Sequence, residues 1–255
     1  MTPAACFQKT MYVAISTAIS LLLLSVGSAM ASGCETIAYD GADFTVCTVS
    51  GDDDVSLSLR DADGEILGTF DRLEEHVAAK NAVLVFAMNG GMYHPDRRPV
   101  GLYVEDGVQF APLVTREGPG NFGLLPNGVL CIAEKRFDIT ESKAFASASP
   151  NCDFATQSGP LLVIDGLLHP RFLPNSDSRF FRNGVGVTDD GTLVAVISED
   201  PVNFHHFGRL FRDVLKTPNA LFLDGKVSRL FVPALGRHDF GFPMGPILAV
   251  TRPKD

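Results

Sequence analysis

The chain has 255 residues, 45% of them hydrophobic and 20% charged, and carries a formal net charge of −9. This length suits one large domain, and the composition excludes a largely disordered chain. The negative field repels extended polyanions, which excludes nucleic acid and an anionic membrane surface as main partners but still admits one small phosphate beside a few local arginines.

Lys9 precedes an uncharged run over 11–34 that contains Leu21-Leu22-Leu23-Leu24 and then Ala29-Met30-Ala31, a small-x-small signal-peptidase pattern. The expected division is an export segment, 1–31, and a single domain, 32–255, which is periplasmic or secreted. No stable membrane insertion is expected once the segment is removed. An uncleaved anchor is the competing reading, because the run is near the lower length limit for a span. A third reading makes Ala31-Ser32-Gly33-Cys34 a lipoprotein box with Cys34 acylated. After removal of the segment, Cys34, Cys47, Cys131 and Cys152 remain, an even number that suits two disulfides in an oxidising compartment. Proximity in sequence favours Cys34 with Cys47 and Cys131 with Cys152, one of three possible pairings. No Cys-x-x-Cys supports zinc.

Alternation over 55–59, the turn Asp61-Ala62-Asp63-Gly64 and Ile66-Leu67 predict a hairpin. A helix over 71–80 follows, with Asp71 as cap and Glu74 as its capping-box partner. The apolar strand 82–88 stops at Asn89-Gly90-Gly91. Hairpins are expected about Glu105-Asp106-Gly107 and about Pro126-Asn127-Gly128, the latter joining 123–125 to 129–132. Strand 161–164 runs to Asp165-Gly166, and 184–187 joins 193–197 through Asp189-Asp190-Gly191. Phe204, Phe207, Phe211 and Val214 recur at helical spacing, which predicts an amphipathic helix over 203–215. The last buried strand, 220–223, stops at Asp224-Gly225. The expected fold is α+β: a mixed, twisted β-sheet with hairpins and few helices. Asn-Ala followed by an apolar strand and a glycine turn occurs at both 81–90 and 219–225, which suggests a weak internal repeat placing Asn89 and Asp224 at equivalent strand ends.

Several of these turns carry candidate chemistry. Asn89-Gly90-Gly91-Met92-Tyr93-His94 could let backbone N–H groups approach an anion or a sugar, although it has neither P-loop nor dinucleotide spacing. Gln157-Ser158-Gly159-Pro160 lacks a nucleophile elbow. Arg179 and Arg182 precede a strand, where a guanidinium can fork onto phosphate. The histidines show no metal spacing, so neither cofactor nor structural zinc is expected, and a divalent cation held by carboxylates stays open. Asp224, Asp165 and Glu199-Asp200 are the acidic candidates.

Taken together, Phe86-Ala87-Met88-Asn89-Gly90-Gly91-Met92-Tyr93, Pro99-Val100-Gly101-Leu102-Tyr103, Gln157-Ser158-Gly159-Pro160, Arg182-Asn183-Gly184-Val185-Gly186 and Ala220-Leu221-Phe222-Leu223-Asp224-Gly225 resemble the phosphodiester glycosidase family. This is the family of the lysosomal uncovering enzyme, and the likeness is nearest to its small bacterial periplasmic branch. Many members continue the last motif as Asp-Gly-Gly-Gly-Ser, whereas here Lys226-Val227-Ser228-Arg229 follows. The resemblance implies an exported hydrolase that frees a sugar from a sugar-1-phosphodiester, with a small glycan or phosphosugar as partner. It implies Asp224 as the carboxylate, with Glu199 in reserve. Arg182 would take the phosphate, and Asn89, Gly90, Gly91, His94, Gln157, Ser158 and Ser228 would bind or orient the substrate. A non-catalytic envelope glycan-binding module and a phosphodiesterase cutting P–O are the competing readings.

Overall fold

A computed structural model describes residues 1–2, 33–49, 51 and 53–254. The expected export segment beyond residue 2, with its cleavage point at Ala31, lies outside the described residues. The strands form three sheets. The first has the order β1 (Gly33–Tyr39), β2 (Ala42–Thr48), β13 (Leu193–Ser198), β12 (Asn183–Val187), β14 (Asn219–Asp224), β10 (Leu161–Ile164) and β11 (Leu167–Leu168). The second runs β16 (Arg237–His238), β15 (Leu230–Val232), β4 (Ala82–Asn89), β17 (Ile247–Pro253) and β3 (Asp54–Ser58). The third runs β6 (Val108–Ala111), β5 (Tyr103–Glu105), β9 (Phe154–Ser158), β7 (Gly128–Ala133) and β8 (Arg136–Glu141).

The α+β class, with hairpins and few helices, is as expected from the sequence. The single mixed sheet gives way to three sheets whose pairings among described strands are antiparallel. Short turns explain the change, since hairpins return the chain antiparallel without a crossover helix. The turns at 106–107 and 189–191 each close the hairpin predicted for them, and the turn at 165–166 closes one, β10 with β11, that the sequence marked only as a strand end. Residues 123–125 do not form the expected strand but belong to a turn, and β7 pairs with β8 and β9 instead.

One core is shared by all three sheets, with Leu57, Phe86, Tyr103, Leu130, Val185 and Leu221 among its members. Each such side chain contributes roughly 1.5–3 kcal/mol of transfer free energy when fully buried. Helix α1 (Phe70–Ala79) covers the outer face of the second sheet through Phe70, Leu73 and Val77. Its N-cap is Thr69, whose hydroxyl accepts from Arg72 N, so Asp71 lies in the first turn and is not the cap. Helix α2 (Ser142–Ala148) has no counterpart in the sequence reading. Asn203 caps α3 (Phe204–Arg209), which continues as one wide turn over Leu210–Val214. This segment packs Phe207, Leu210 and Phe211 on the first sheet. At Gly186 a Cβ would come within 2.7 Å of Thr217, so only glycine allows this close approach beside β12.

Both disulfides form in the pairing that proximity favours, Cys34–Cys47 and Cys131–Cys152. Cys34 and Cys47 face each other in register across β1 and β2. The Cys34 sulfur is therefore committed to Cys47 and is not free for acylation. No described helix is long and apolar enough to cross a membrane.

Candidate active site

The three sheets are tied together where β4, β12, β14 and β9 end. Asn183 pairs in register with Asp224, while its Nδ2 donates to the Asn89 carbonyl at 2.9 Å and to Asn89 Oδ1 at 3.1 Å. Asn89 Nδ2 returns a bond to Asn183 Oδ1 at 3.2 Å, and Asn89 Oδ1 also accepts from Arg229 N at 3.0 Å. Both side chains are fully buried. Burial in low dielectric makes such bonds costly to lose, so this pair fixes the second sheet against the first. The ends of β4 and β14 thus meet through Asn183.

The other buried motif residues belong to the same frame. Ser158 Oγ donates to Leu223 O at 3.0 Å and joins the third sheet to the residue before Asp224. Gln157 Oε1 accepts from Leu102 N and Val114 N, each at 3.0 Å, and its Nε2 donates to Val114 O at 2.6 Å and Ser142 Oγ at 2.8 Å. Gly90 N is spent on Pro246 O at 2.7 Å, and a Cβ there would lie 2.9 Å from Leu248 N. A Cβ on Gly91 would meet Thr156 Oγ1 at 2.6 Å. Ser228 Oγ donates to Phe181 O at 2.9 Å and Asp224 O at 3.1 Å, closing the turn after β14.

Above this frame opens a cleft of about 710 Å³. It is lined by Asp224, Gly225, Lys226 and Val227 from the turn after β14, by the tight turn holding Tyr93, His94 and Arg97, and by Gly120, Asn121 and the exposed Phe242. That turn is closed by His94 N donating to Arg98 O and Arg97 N donating to His94 O, both at 2.8 Å. Of the residues expected from sequence, Asp224 and His94 line this cleft, and Asp224 is the one acidic side chain that does.

Burial raises the Asp224 carboxyl above the usual aspartate range, against the backbone N–H groups of Lys226, Gly225 and Val227 and the Lys226 charge, which favour the carboxylate. Its Oδ1 accepts from Gly225 N at 2.5 Å and Lys226 N at 2.8 Å. Burial also raises the Tyr93 phenol, the nearby Asp224 charge adds to this, and Arg97 and Arg229 oppose it. The Arg97 guanidinium lies 5.4 Å from the centre of the Tyr93 ring. A carboxylate, a phenol and cations therefore share one opening.

Arg182 is placed differently from a surface phosphate ligand. It is 1% exposed and stacks 3.7 Å from the Phe204 ring centre. Its Nε donates to Val202 O at 2.8 Å and its Nη2 to Ser178 O at 2.9 Å. Nη1 is buried without a hydrogen-bond partner among the described residues and would lie 3.5 Å from a Cβ on Gly225. Burial pulls its pKa down to about 10, which leaves it charged at neutral pH. The Arg182 charge thus sits beneath the Asp224–Gly225 turn.

Glu199 lies outside the cleft. Its Oε1 accepts from Thr45 Oγ1 at 2.5 Å and from Arg237 Nη1, and Arg237 also pairs with Asp239 at 2.9 Å. Among the described residues no group of three or more His, Cys, Asp or Glu is arranged to hold a metal ion. Tyr93 belongs to the turn that the sequence marked as a candidate cradle, whereas Arg97, Asn121, Lys226 and the tie through Asn183 escaped the sequence reading as site features. Lys226 and Arg97 did leave a signal, as cations in glycine-flanked or tight-turn segments next to quoted motifs.

The phosphodiester glycosidase family profile matches residues 82–243. The Escherichia coli K12 protein YigE, described as uncharacterized, is 36% identical over 178 residues, covering 70% of this chain and 69% of its own. The catalytic domain of zebrafish N-acetylglucosamine-1-phosphodiester alpha-N-acetylglucosaminidase, auto-inhibited by its pro-peptide, superposes with a TM-score of 0.60. That match has 14% identity over 89% of this chain and 84% of the zebrafish one. A Burkholderia pseudomallei protein described as exported superposes with a TM-score of 0.56 and 13% identity, over 82% of this chain and 74% of its own. The chain belongs to the phosphodiester glycosidase family.

Proposed function

We propose that this protein is a periplasmic or secreted hydrolase that cleaves the C1–O bond of a sugar-1-phosphodiester in the Asp224 cleft. The observation that carries the reading is a single cleft carboxylate, partly desolvated, beside Lys226 and Arg97. Phosphate is an acidic leaving group, so a separate general acid is less necessary than in ordinary glycosidases. One carboxylate then suffices if cations receive the departing phosphate. Asp224 stabilises the developing oxocarbenium charge or takes a proton from the attacking water. The water oxygen ends on C1, and the phosphate leaves with the former bridging oxygen.

Lys226 and Arg97 are assigned to the phosphate, with Arg182 adding fixed positive potential from beneath Gly225. Tyr93, His94 and Asn121, which line the same cleft, are assigned to orient the sugar or phosphate oxygens. Asn89, Gly90, Gly91, Gln157, Ser158 and Ser228 hold the frame that aims Asp224. No cofactor is required by this scheme. Two disulfides and the signal-like segment support the compartment.

Hydrolysis of a panel of sugar-1-phosphodiesters by the purified protein tests the reading. Free sugar is expected from the wild type and not from Asp224→Asn. Silence across the panel with phosphosugar binding retained would favour the envelope-binding module instead.

A further inference from the structure

The segment 239–246 brings Phe242 to the cleft, with its backbone held at two points. Arg229 Nη1 donates to Phe242 O at 2.7 Å, Met244 N donates to Gly68 O at 2.7 Å, and the Met244 side chain is 1% exposed. Yet Phe240 is 77% and Phe242 83% exposed. Among the described residues Phe44, Phe70, Phe86, Phe207, Phe211 and Phe222 are fully buried, and the other exposed rings, Phe110, Phe180 and Phe181, are less exposed than these two. Packing of the fold accounts for the pinned backbone and leaves the two exposed rings unexplained.

Their position supplies a reason. Phe242 lines the Asp224 cleft, where Met92, Val100 and Val227 add apolar surface and Lys226 and Arg97 add positive charge. Phe240, two residues earlier, is a second exposed ring outside the cleft lining and stacks on His238 at 4.3 Å. An exposed apolar ring and two cations lining the same cleft match an amphiphile whose anionic group meets the cations and whose apolar part lies on the ring. In a chain of net charge −9, the local cations single out the anionic end.

We propose, resting on the glycosidase reading, that the alcohol on the far side of the phosphate is a long apolar chain that lies on Phe242 and Phe240. The substrate class is then a lipid-type sugar-1-phosphodiester. The rings act as specificity determinants and take no part in the bond cleavage.

Two readouts on the purified full-length domain with intact disulfides test this. In calorimetry, the wild type should bind octyl phosphate about tenfold more tightly than methyl phosphate, the gain expected from burying a few methylene groups. Phe242→Ser should remove most of that preference, and its exposed position makes unfolding an unsuitable explanation, which circular dichroism checks directly. In turnover, kcat/KM should favour an octyl over a methyl sugar-1-phosphodiester by about the same factor, through KM. Equal affinity for the two phosphates would overturn the apolar subsite. Equal loss on both diesters in Phe242→Ser would assign the ring to the sugar and overturn it as well. Chain-length-dependent binding without hydrolysis of either diester would overturn the glycosidase reading and keep the subsite, whereas hydrolysis without chain-length dependence would overturn the subsite alone.

Discussion

Asn183 and Asp224 face each other in register across β12 and β14, yet their side chains obey opposite rules. The Asn183 amide is fully buried and exchanges bonds with both the backbone and the side chain of Asn89. Asp224 instead keeps a desolvated carboxyl at an open cleft, held by the N–H groups of its own turn. Satisfied amides fix position, while a desolvated carboxyl at an open cleft is where the proposed chemistry is assigned. The polar residues most useful for holding the site are therefore distinct from those that line it.

The largest expected effect comes from the lining. Asp224→Asn should lower kcat on a sugar-1-phosphodiester by a factor on the order of 10³, the range of a lost acid–base or charge-stabilising group. Asn still offers an oxygen to Gly225 N and Lys226 N, so the fold should survive. A folded carboxyl raised above its unfolded pKa contributes stability below the unfolded pKa that is lost as pH rises through the folded one. Removing the charge should thus leave thermal stability at pH 7 equal to or above wild type. A clear drop in Tm would contradict the desolvation of Asp224.

The frame should answer in stability. Asn183→Ala leaves the buried Asn89 amide without its partner and should cost about 2–3 kcal/mol in urea unfolding. Ser158→Ala, which removes one bond to Leu223 O, should cost about 1 kcal/mol. If Asn183→Ala were as stable as wild type, the two sheets would not depend on this tie.

Smaller still is the shift in pH dependence. The acid limb of kcat/KM should fall above the pH at which an ordinary aspartate titrates, because the role proposed for Asp224 needs its carboxylate and burial raises its pKa. Lys226→Ala should move that limb further upward, since the lysine charge holds the pKa down. The smallest effect is expected at Glu199→Gln, with turnover within about twofold and a stability loss of at most about 1 kcal/mol for a partly exposed ion pair. A large loss of turnover there would move the chemistry out of the Asp224 cleft.

These contrasts show what the sequence could carry. Turns such as Asp106-Gly107 and Asp190-Gly191 announce their hairpins because the positive φ they need is local chemistry. The α1 stripe of Phe70, Leu73 and Val77 is equally local, although Thr69 outcompetes Asp71 for the cap. Pairing of β7 with β9, or of β15 with β4, depends on contacts far apart in the chain and left no local signal. At the site, Asn89, Gln157 and Ser158 stood out as polar residues at strand ends. Their partners, Asn183, Val114 and Leu223, lie in distant segments, so a framing role could not be told from a ligand-binding one. Lys226 occupied a familiar motif position with an unfamiliar residue, and only the cleft geometry gives it a partner in Asp224.

The central claim is that water attacks the sugar carbon in the Asp224 cleft. Hydrolysis of an octyl sugar-1-phosphodiester in ¹⁸O-water, with product masses read for wild type and Asp224→Asn, tests it directly. The label should appear in the free sugar and vanish with the variant. Label in the phosphate would make the protein a phosphodiesterase, and label in the sugar at an undiminished rate in Asp224→Asn would remove Asp224 from the chemistry.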